Sequence, residues 1–313
     1  MKSLVTGVAG FIGSHLAEKL LAEGHQVVGV DSFLDNYPRH FKERNLAALT
    51  GRAQFEFVGA DLLRLDLKNL LHDVSHVFHL AGQPGVRSSW GAEFGRYTDN
   101  NIMATQLLLE ASKEVKLAKF VYASTSSVYG DTDDLPMREE GGTRPISPYG
   151  ATKLAAEHLC YLYWRAFGVP TVSLRFFTVY GPRQRPDMFF HIFMRALLHG
   201  EEVPLYDDGE QTRDFTFCAD IIDGVLAAAH YPGQGEVFNL GGGSEVSLRH
   251  AISVAAAVAG RTAKLRHFER QRGDVRHTRA QLDQARRKLG YSPKVSLELG
   301  LLEEWNWLCN IGD

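Results

Sequence analysis

Two residues in this sequence, Tyr149 and Lys153, have the types and the spacing that acid–base chemistry requires. Side chains four positions apart lie on the same face of a helix. An ammonium beside a phenol stabilises the phenolate and lowers the tyrosine pKa from its usual value of about 10. Such a tyrosine acts as a general base, although this spacing by itself also occurs in ordinary surface pairs.

A third polar residue, Thr125, comes shortly after a predicted strand, Phe120 to Ala123. Tyr149 and Lys153 fall in a predicted helix, Ser147 to Phe167. In a parallel sheet the carboxyl ends of strands and the amino ends of the following helices share one edge. We therefore expect Thr125, Tyr149 and Lys153 to form one catalytic group.

A glycine-rich turn follows the first predicted strand, Leu4 to Thr6, and leads into a predicted helix, Ile12 to Ala22. Its spacing is G-x-x-G-x-x-G, which lets the backbone approach a pyrophosphate at the amino end of the helix. A glycine turn can also be purely structural. The residues that we expect to bind a dinucleotide here are Gly7, Gly10, Phe11, Ile12 and Gly13.

The second predicted strand, Gln26 to Val30, ends at Asp31, which lies 18 residues after Gly13. A carboxylate at this position accepts hydrogen bonds from the adenosine ribose and repels a 2′-phosphate. Ser32 and Phe33 follow, without the arginine that a 2′-phosphate requires. A strand-end aspartate can also serve as a turn residue. Together with the glycine turn, Asp31 favours NAD over NADP.

The elements that position these residues alternate between strands and amphipathic helices through the first 170 residues or so, which predicts a doubly wound parallel α/β sheet of the Rossmann type. We expect an NAD-binding domain at 1–170, with a return segment near 214–240, and a smaller C-terminal α/β substrate domain at 171–313. The other predicted elements are strands Gln54 to Val58, His76 to Leu80 and Thr171 to Leu174, and helices Thr98 to Ser112, Phe189 to His199 and Leu248 to Ala259.

Composition excludes several classes of protein. The 313 residues carry 34 Lys and Arg against 37 Asp and Glu, so no basic field would gather nucleic acid or anionic lipid. Three scattered cysteines and 13 histidines show no disulfide, zinc or H-E-x-x-H spacing. No apolar run approaches the roughly 20 residues of a membrane span. We expect a cytoplasmic protein with no targeting segment, metal, membrane or nucleic-acid partner.

These motifs, together with Ser124-Thr125 before Val128-Tyr129-Gly130, resemble the extended short-chain dehydrogenase/reductases, and within them the NAD-dependent nucleotide-sugar epimerases and dehydratases. The resemblance covers essentially the whole chain. It implies that Asp61 and Leu62 border the adenine and that Asn101 steadies the helix near the active site. It also implies that Leu80, Ala81 and Gly82 border the cofactor phosphates or ribose.

The resemblance implies a shared first step, in which Tyr149 takes the proton of the sugar 4-hydroxyl, Thr125 binds the same oxygen and hydride passes from C4 to NAD. The 4,6-dehydratases of this group carry Asp-Glu after the threonine, and UDP-glucuronate decarboxylases carry Glu at the second of these positions. Here the two positions are Ser126 and Ser127, whose hydroxyls are poor general bases.

Ser126, Ser127 and Thr178 could instead donate hydrogen bonds to a sugar carboxylate. The segment Arg175 to Pro182, followed by Arg185-Pro186-Asp187-Met188, resembles UDP-glucuronate 4-epimerases, whereas glucose epimerases and dehydratases carry Asn at the Thr178 position. Arg87 in Gly85-Val86-Arg87 could offer a cation to the sugar or cofactor, or be an ordinary exposed arginine. Arg185 is a further expected substrate contact.

For the nucleotide, the resemblance implies that Arg213 meets the diphosphate and that Tyr206 stacks on uracil. Arg276 is a second candidate for the phosphates, and Arg272 is an alternative to it. Gln271 stands where some relatives carry arginine.

We therefore expect 4-epimerisation of UDP-glucuronate to UDP-galacturonate through a 4-keto sugar, without decarboxylation. The alternatives are epimerisation of UDP-glucose or UDP-N-acetylglucosamine, then UDP-glucuronate decarboxylation or dTDP-glucose 4,6-dehydration. A protein of another class, an NAD-bound sensor without turnover, is also an alternative. Relatives pair two helices per subunit into a four-helix bundle, so Thr98 to Ser112 and Ser147 to Phe167 imply a homodimer.

Overall fold

The computed structural model describes residues 1–269 and 273–311. Short strands built largely from β-branched and aromatic residues alternate with helices along most of the chain. The strands are β1 Lys2–Thr6, β2 Gln26–Val30, β3 Phe55–Val58, β4 His76–His79, β5 Lys119–Thr125, β6 Thr171–Phe176, β7 Thr178–Tyr180, β8 Glu202–Tyr206, β9 Thr212–Arg213, β10 Phe215–Phe217, β11 Glu236–Leu240, β12 Val246–Ser247 and β13 Lys264–Phe268.

The helices follow the apolar spacing of the sequence. They are α1 Phe11–Ala22, α2 Arg39–Ala47, α3 Leu67–Leu70, α4 Phe94–Tyr97, α5 Ala104–Ser112, α6 Pro148–Phe167, α7 Phe189–His199, α8 Cys218–His230, α9 Leu248–Ala259, α10 Asp283–Leu289 and α11 Leu297–Ile311, with short 3-10 turns at Arg87–Ser89, Gly91–Glu93 and Ser126–Val128. Within the described residues, none of these helices is long and apolar enough to cross a membrane.

A seven-stranded sheet forms the centre of the molecule, in the order β11-β6-β5-β4-β1-β2-β3, and every neighbouring pair is parallel. The predicted Rossmann-type doubly wound fold is therefore confirmed. Strands β6 and β11 both follow residue 170 in the chain, and β11 falls within the return segment near 214–240. The remaining strands form three two-stranded sheets, β10-β7, β12-β9 and β13-β8.

Helices cover both faces of the central sheet. Buried residues of α1 and α8, such as Leu16 and Val225, belong to one apolar cluster. Buried residues of α3, α5 and α6, such as Leu108 and Cys160, belong to a second cluster on the other face. Burial of each large apolar side chain stabilises the fold by about 1.5–3 kcal/mol, so the two clusters fix where the strand ends lie.

The predicted helix Thr98 to Ser112 differs from the structure in its first six residues, Thr98–Met103, which form a π-helical turn before α5. Apolar spacing cannot distinguish this turn from a regular helix, because the two differ by only one residue per hydrogen-bonded ring. Turns of this kind are frequent at functional sites. This one contains Asn101, a predicted site residue.

His79 ties the sheet to α5 near the edge where the glycine turn lies. Its Nδ1 is 2.8 Å from the Thr6 hydroxyl and its Nε2 is 2.9 Å from the Thr105 hydroxyl. Burial lowers the pKa of His79 to about 3, so the ring stays neutral. The Thr6 hydroxyl also accepts a hydrogen bond from the Ala81 N–H at 3.1 Å, which places the segment after β4 against the glycine turn.

Candidate active site

The glycine motif between β1 and α1 has no space for a side chain at Gly7 or Gly13. Gly7 has a φ of +71°, and a Cβ there would lie 2.9 Å from the backbone nitrogen of Ala81. A Cβ on Gly13 would lie 2.2 Å from the Gly7 carbonyl oxygen. Helix α1 has no side-chain cap at Gly10. The turn therefore offers backbone N–H groups and positive helix-end charge to an anion.

One pocket runs along this edge of the sheet, and every residue that the sequence analysis assigned to the cofactor lines it. The pocket also includes residues that the sequence analysis did not assign, among them Asn36, Lys42 and Gln83. They lie outside the glycine motif, and no local spacing identifies them. Arg185, expected to contact substrate, lines this pocket as well.

The pocket has the polar groups that a dinucleotide needs. The Asn36 Oδ1 and Gln83 Oε1 atoms are buried and have no hydrogen-bond partner among the described residues. Buried acceptors without a donor are costly unless a bound molecule supplies one. Asp31 at the end of β2 accepts hydrogen bonds from the Ala9 and Phe33 N–H groups at 3.1 and 2.8 Å, which fix its carboxylate at the pocket wall. These residues fit NAD.

The predicted catalytic residues come from two neighbouring elements. Thr125 is the last residue of β5, where its hydroxyl donates to the Ser127 hydroxyl and accepts from the Ser127 N–H, both at 3.2 Å. Ser147 caps α6 by accepting from the Gly150 N–H at 3.1 Å. That cap fixes the start of the helix that carries Tyr149 and Lys153.

On balance the protein's own groups raise the pKa of Tyr149, whereas the lowering expected from the sequence also involves the positive nicotinamide ring. Desolvation in the pocket raises the pKa of the phenol, and this effect exceeds the lowering by the Thr125 hydrogen bond and the Arg185 charge. Burial also lowers the pKa of Lys153 to about 8, against smaller opposing contributions from Cys160 and Glu157. Burial therefore makes the Lys153 ammonium easier to deprotonate than that of an exposed lysine.

Asn101 connects the π-helical turn to both sides of the pocket. Its side chain accepts from the Gln83 N–H at 2.7 Å and donates to the Gln83 carbonyl at 3.1 Å. It also donates to the Thr152 hydroxyl on α6 at 3.0 Å. A Cβ on Gly82 would lie 2.9 Å from Asn101 Oδ1 and 3.8 Å from Lys153 Nζ. Asn101 thus holds α6 against the segment after β4.

A buried ion pair fixes the same helix to the sheet. Arg175 on β6 donates to both carboxylate oxygens of Glu157 on α6, at 2.6 and 3.1 Å. The Ser124 hydroxyl on β5 donates to the same carboxylate at 2.7 Å. Arg175 also stacks over the Tyr129 ring, with its guanidinium 4.7 Å from the ring centroid. Glu157 lies one turn after Lys153, so the pair sets the position of the catalytic face of α6.

A second cleft adjoins the predicted catalytic residues. Ser126, Ser127, Thr178 and Arg213, which the sequence analysis assigned to the substrate, all line it. The Arg213 guanidinium donates to the Thr212 and Arg276 carbonyls at 2.8 and 3.1 Å, which orients its side chain. The other lining residues are Val86, Ile146, Ser147, Gly273, Asp274, Val275 and Thr278.

Three of the arginines expected at the substrate, Arg87, Arg185 and Arg276, each pair with a carboxylate of the protein. Arg87 pairs with Asp274 at 2.7 Å, and its guanidinium lies 4.2 Å from the centroid of the Tyr206 ring. A uracil stacked on that face of Tyr206 would displace the guanidinium.

The Arg276 guanidinium pairs with Asp207 and Asp208 at 3.4 and 3.0 Å, and Arg276 does not line the described part of the cleft. Arg185, on the cofactor side, donates to both carboxylate oxygens of Asp187 at 2.9 Å. Arg272 and Gln271 lie outside the described residues. Across residues 1–269 and 273–311, His, Cys, Asp and Glu side chains form no group of three that could hold a metal ion.

A family model described as the NAD dependent epimerase/dehydratase family matches residues 3–241 of the chain. The chain belongs to this family. The match begins in β1 and ends just after β11, so it spans all seven strands of the central sheet.

Individual members of the NAD dependent epimerase/dehydratase family match over the full length. A Bacillus subtilis protein described as an uncharacterized UDP-glucose epimerase, YtcB, is 44% identical over 99% of both chains. A UDP-glucuronate 4-epimerase of Thermodesulfobacterium geofontis is 38% identical over 97% of this chain and 95% of that protein. The solved structure of UDP-glucuronic acid 4-epimerase from Bacillus cereus, in complex with UDP-glucuronic acid and NAD, is 45% identical with a TM-score of 0.97 over 100% of both chains.

The buried pair gives a prediction about stability. Replacing Arg175 with Met leaves the Glu157 carboxylate buried without a cation, so we expect the free energy of unfolding in urea to fall by about 3–5 kcal/mol. The double variant Glu157→Gln/Arg175→Met removes both charges and should lose less than Arg175→Met alone. A double variant as unstable as the single variant would contradict this account of how α6 is held.

Proposed function

We propose that the protein is an NAD-dependent UDP-glucuronate 4-epimerase that forms UDP-galacturonate through a 4-keto sugar without decarboxylation. One observation carries the sugar assignment: Ser126, Ser127 and Thr178 line one cleft, where their hydroxyls can donate hydrogen bonds to a sugar carboxylate. Ser127 is hydrogen-bonded to Thr125, so this cleft is continuous with the catalytic residues. The similarity to the Bacillus cereus enzyme solved with UDP-glucuronic acid and NAD supports the same assignment.

Tyr149 is the general base in this proposal, and it removes the proton from the sugar 4-hydroxyl. Thr125 hydrogen-bonds the same oxygen, and the charge of Lys153 favours the phenolate. Bound NAD accepts hydride from C4 and returns it to the opposite face, and its positive nicotinamide ring adds to the positive charge near the phenol. The return of the proton from Tyr149 completes the reaction, with no net use of cofactor.

The hydroxyls of the cleft have a second task, because a β-keto acid loses CO₂ readily when its carboxylate bond stands perpendicular to the ketone plane. In the proposal Ser126, Ser127 and Thr178 hold the carboxylate away from that alignment while the 4-keto ring turns to its other face. The positions that would carry an acid and base in dehydratases hold Ser126 and Ser127, whose hydroxyls are poor bases. This disfavours dehydration and decarboxylation.

The remaining site roles belong to the same proposal. The pocket at the glycine turn holds NAD, with Asp31 on the adenosine ribose and Asp61 and Leu62 near the adenine. Arg213 in the cleft binds the diphosphate as a bidentate donor. UDP-glucose is the second candidate substrate, because the Bacillus subtilis relative is described as an uncharacterized UDP-glucose epimerase.

The division into an NAD-binding domain at 1–170, with β11 returning to it, and a substrate domain at 171–313 is also proposed. We further propose a homodimer that pairs α5 and α6 of two subunits. Large apolar side chains support this, because Met103 precedes α5 and Tyr161 and Leu162 lie on α6, and all three are exposed. Three free cysteines, at 160, 218 and 309, support a reducing compartment such as the cytoplasm.

The substrate assignment is tested by incubating the purified protein with UDP-glucuronate and separately with UDP-glucose, without added NAD. Proton NMR should show UDP-galacturonate from the acid, because the hydroxyl cleft holds the carboxylate and the cofactor is regenerated. Reaction only with UDP-glucose would contradict the sugar assignment. Formation of a UDP-pentose would contradict the role given to the serines.

Removal of a cleft hydroxyl should release CO₂. The Thr178→Ala variant loses one contact to the carboxylate while leaving the Thr125–Ser127 hydrogen bond in place, so we expect UDP-4-keto-pentose and reduced cofactor to accumulate alongside slower epimerisation. Mass spectrometry of the products measures the leak. Thr50→Ala, which removes a hydroxyl that donates to the Leu46 carbonyl of α2, is the control and should not leak. A Thr178→Ala enzyme that slows without leaking would count against the proposed role.

A further inference from the structure

Lys42 on α2 is a buried cation at the adenosine end of the cofactor pocket. Its side chain is 7% exposed, and it lines the pocket together with Asp31. Its Nζ donates to the Leu34 carbonyl at 2.8 Å and lies 3.9 Å from Asp31 Oδ1. The ring of Tyr37 is 4.9 Å away. Nothing in the glycine motif or in the residues directly after Asp31 indicates a cation here.

The Asp31 carboxylate does not need Lys42 to satisfy its hydrogen bonds. Its Oδ2 accepts from the Ala9 N–H and its Oδ1 from the Phe33 N–H. An ammonium has three N–H donors, of which the Leu34 carbonyl uses one. Asp31 Oδ1, at 3.9 Å, is an ion-pair partner beyond hydrogen-bond distance. The contacts of the described residues therefore leave two donors for a molecule in the pocket. Burying an ammonium costs free energy unless its donors find acceptors. Hydrogen bonds to a bound ligand would offset that cost for Lys42.

The charge of Lys42 also weakens the repulsion that Asp31 exerts on a 2′-phosphate. A carboxylate at this position excludes NADP by repelling the 2′-phosphate, whereas a nearby cation attracts it. Lys42 lies close enough to Asp31 for the two charges to offset each other. Removal of the carboxylate alone would therefore leave a pocket that already contains a buried phosphate-binding cation.

Other cations near this end of the pocket are less suited to the role. Arg39 stacks over the Phe33 ring at 4.5 Å, but it pairs with Glu43 and its side chain is 67% exposed. Arg185 lines the pocket, but its Nε and Nη2 atoms already donate hydrogen bonds to the Asp187 carboxylate. Among the described residues, Lys42 is the buried cation that pairs with Asp31.

We propose that Lys42 is a determinant of cofactor specificity: its ammonium donates to the adenosine ribose hydroxyls beside Asp31, and it would receive the 2′-phosphate of NADP once Asp31 is replaced. This deepens the proposed function and rests on the assignment of this pocket to NAD. The binding of the two nucleotides can be measured without any sugar, so the inference is tested separately from turnover.

The test is calorimetric titration of protein stripped of nucleotide with NAD and with NADP. Asp31→Ser should weaken NAD and strengthen NADP binding by roughly tenfold or more, the size of one charge-assisted contact. Asp31→Ser/Lys42→Met should lose that gain in NADP affinity. The matched control Asp31→Ser/Arg39→Met removes a neighbouring exposed cation and should keep it. If both double variants lose the gain equally, or neither loses it, the inference is wrong.

A second pair of variants covers the case in which Asp31→Ser does not fold. Asp31→Asn keeps an acceptor for the Phe33 N–H, and it should show the same dependence of NADP affinity on Lys42. Lys42→Met alone should weaken NAD binding severalfold, whereas Arg39→Met should not. A Lys42→Met protein that binds NAD as tightly as the wild type would overturn the inference. Failure of the wild-type protein to bind either nucleotide would overturn the NAD assignment itself.

Discussion

The buried ion pair between Glu157 and Arg175 is the interaction on which the catalytic arrangement depends. It joins α6 to β6, and the Ser124 hydroxyl on β5 completes the contacts of the carboxylate. A carboxylate removed from water requires a cation and hydrogen bonds in a fixed geometry. The helix therefore cannot slide or rotate without a large loss of folding stability. Since Tyr149 and Lys153 lie on the same helix, eight and four residues before Glu157, their positions follow from this one constraint.

The fold places two kinds of chemistry at one edge of the sheet. The carboxyl ends of β1, β2 and β4 meet the amino end of α1 and form a pocket in which the glycines leave backbone N–H groups open to a ligand. The end of β5 meets the start of α6 and supplies a hydroxyl and a phenol. Asn101 joins these two halves through Gln83 and Thr152. The proposed oxidation at C4 requires both halves of the site, because the cofactor and the base must lie within reacting distance of the same sugar carbon.

The parts of the site that could be predicted from sequence are those encoded by local spacing. The glycine turn, Asp31 after its strand, and Tyr149 four residues before Lys153 each lie within one element or its end, so the fold class fixes their relative positions. Lys42, Gln83 and the Glu157–Arg175 pair could not be predicted in this way, because each acts on residues that are distant in the chain and meet only through packing. The cover of the Tyr206 ring by Arg87 likewise depends on a contact between distant segments. The rise in the Tyr149 pKa could not be predicted for a related reason, since spacing reveals the ammonium but not the desolvation.

The central claim is that Tyr149 and the bound cofactor oxidise C4 of UDP-glucuronate and then return the same hydride to the opposite face. The most direct test uses UDP-glucuronate labelled with deuterium at C4, with the UDP-galacturonate product analysed by NMR and mass spectrometry. The account predicts that the deuterium stays at C4 and that no solvent hydrogen enters the ring. Loss of the label from C4, or entry of solvent hydrogen at C5, would show that the configuration is inverted by another route.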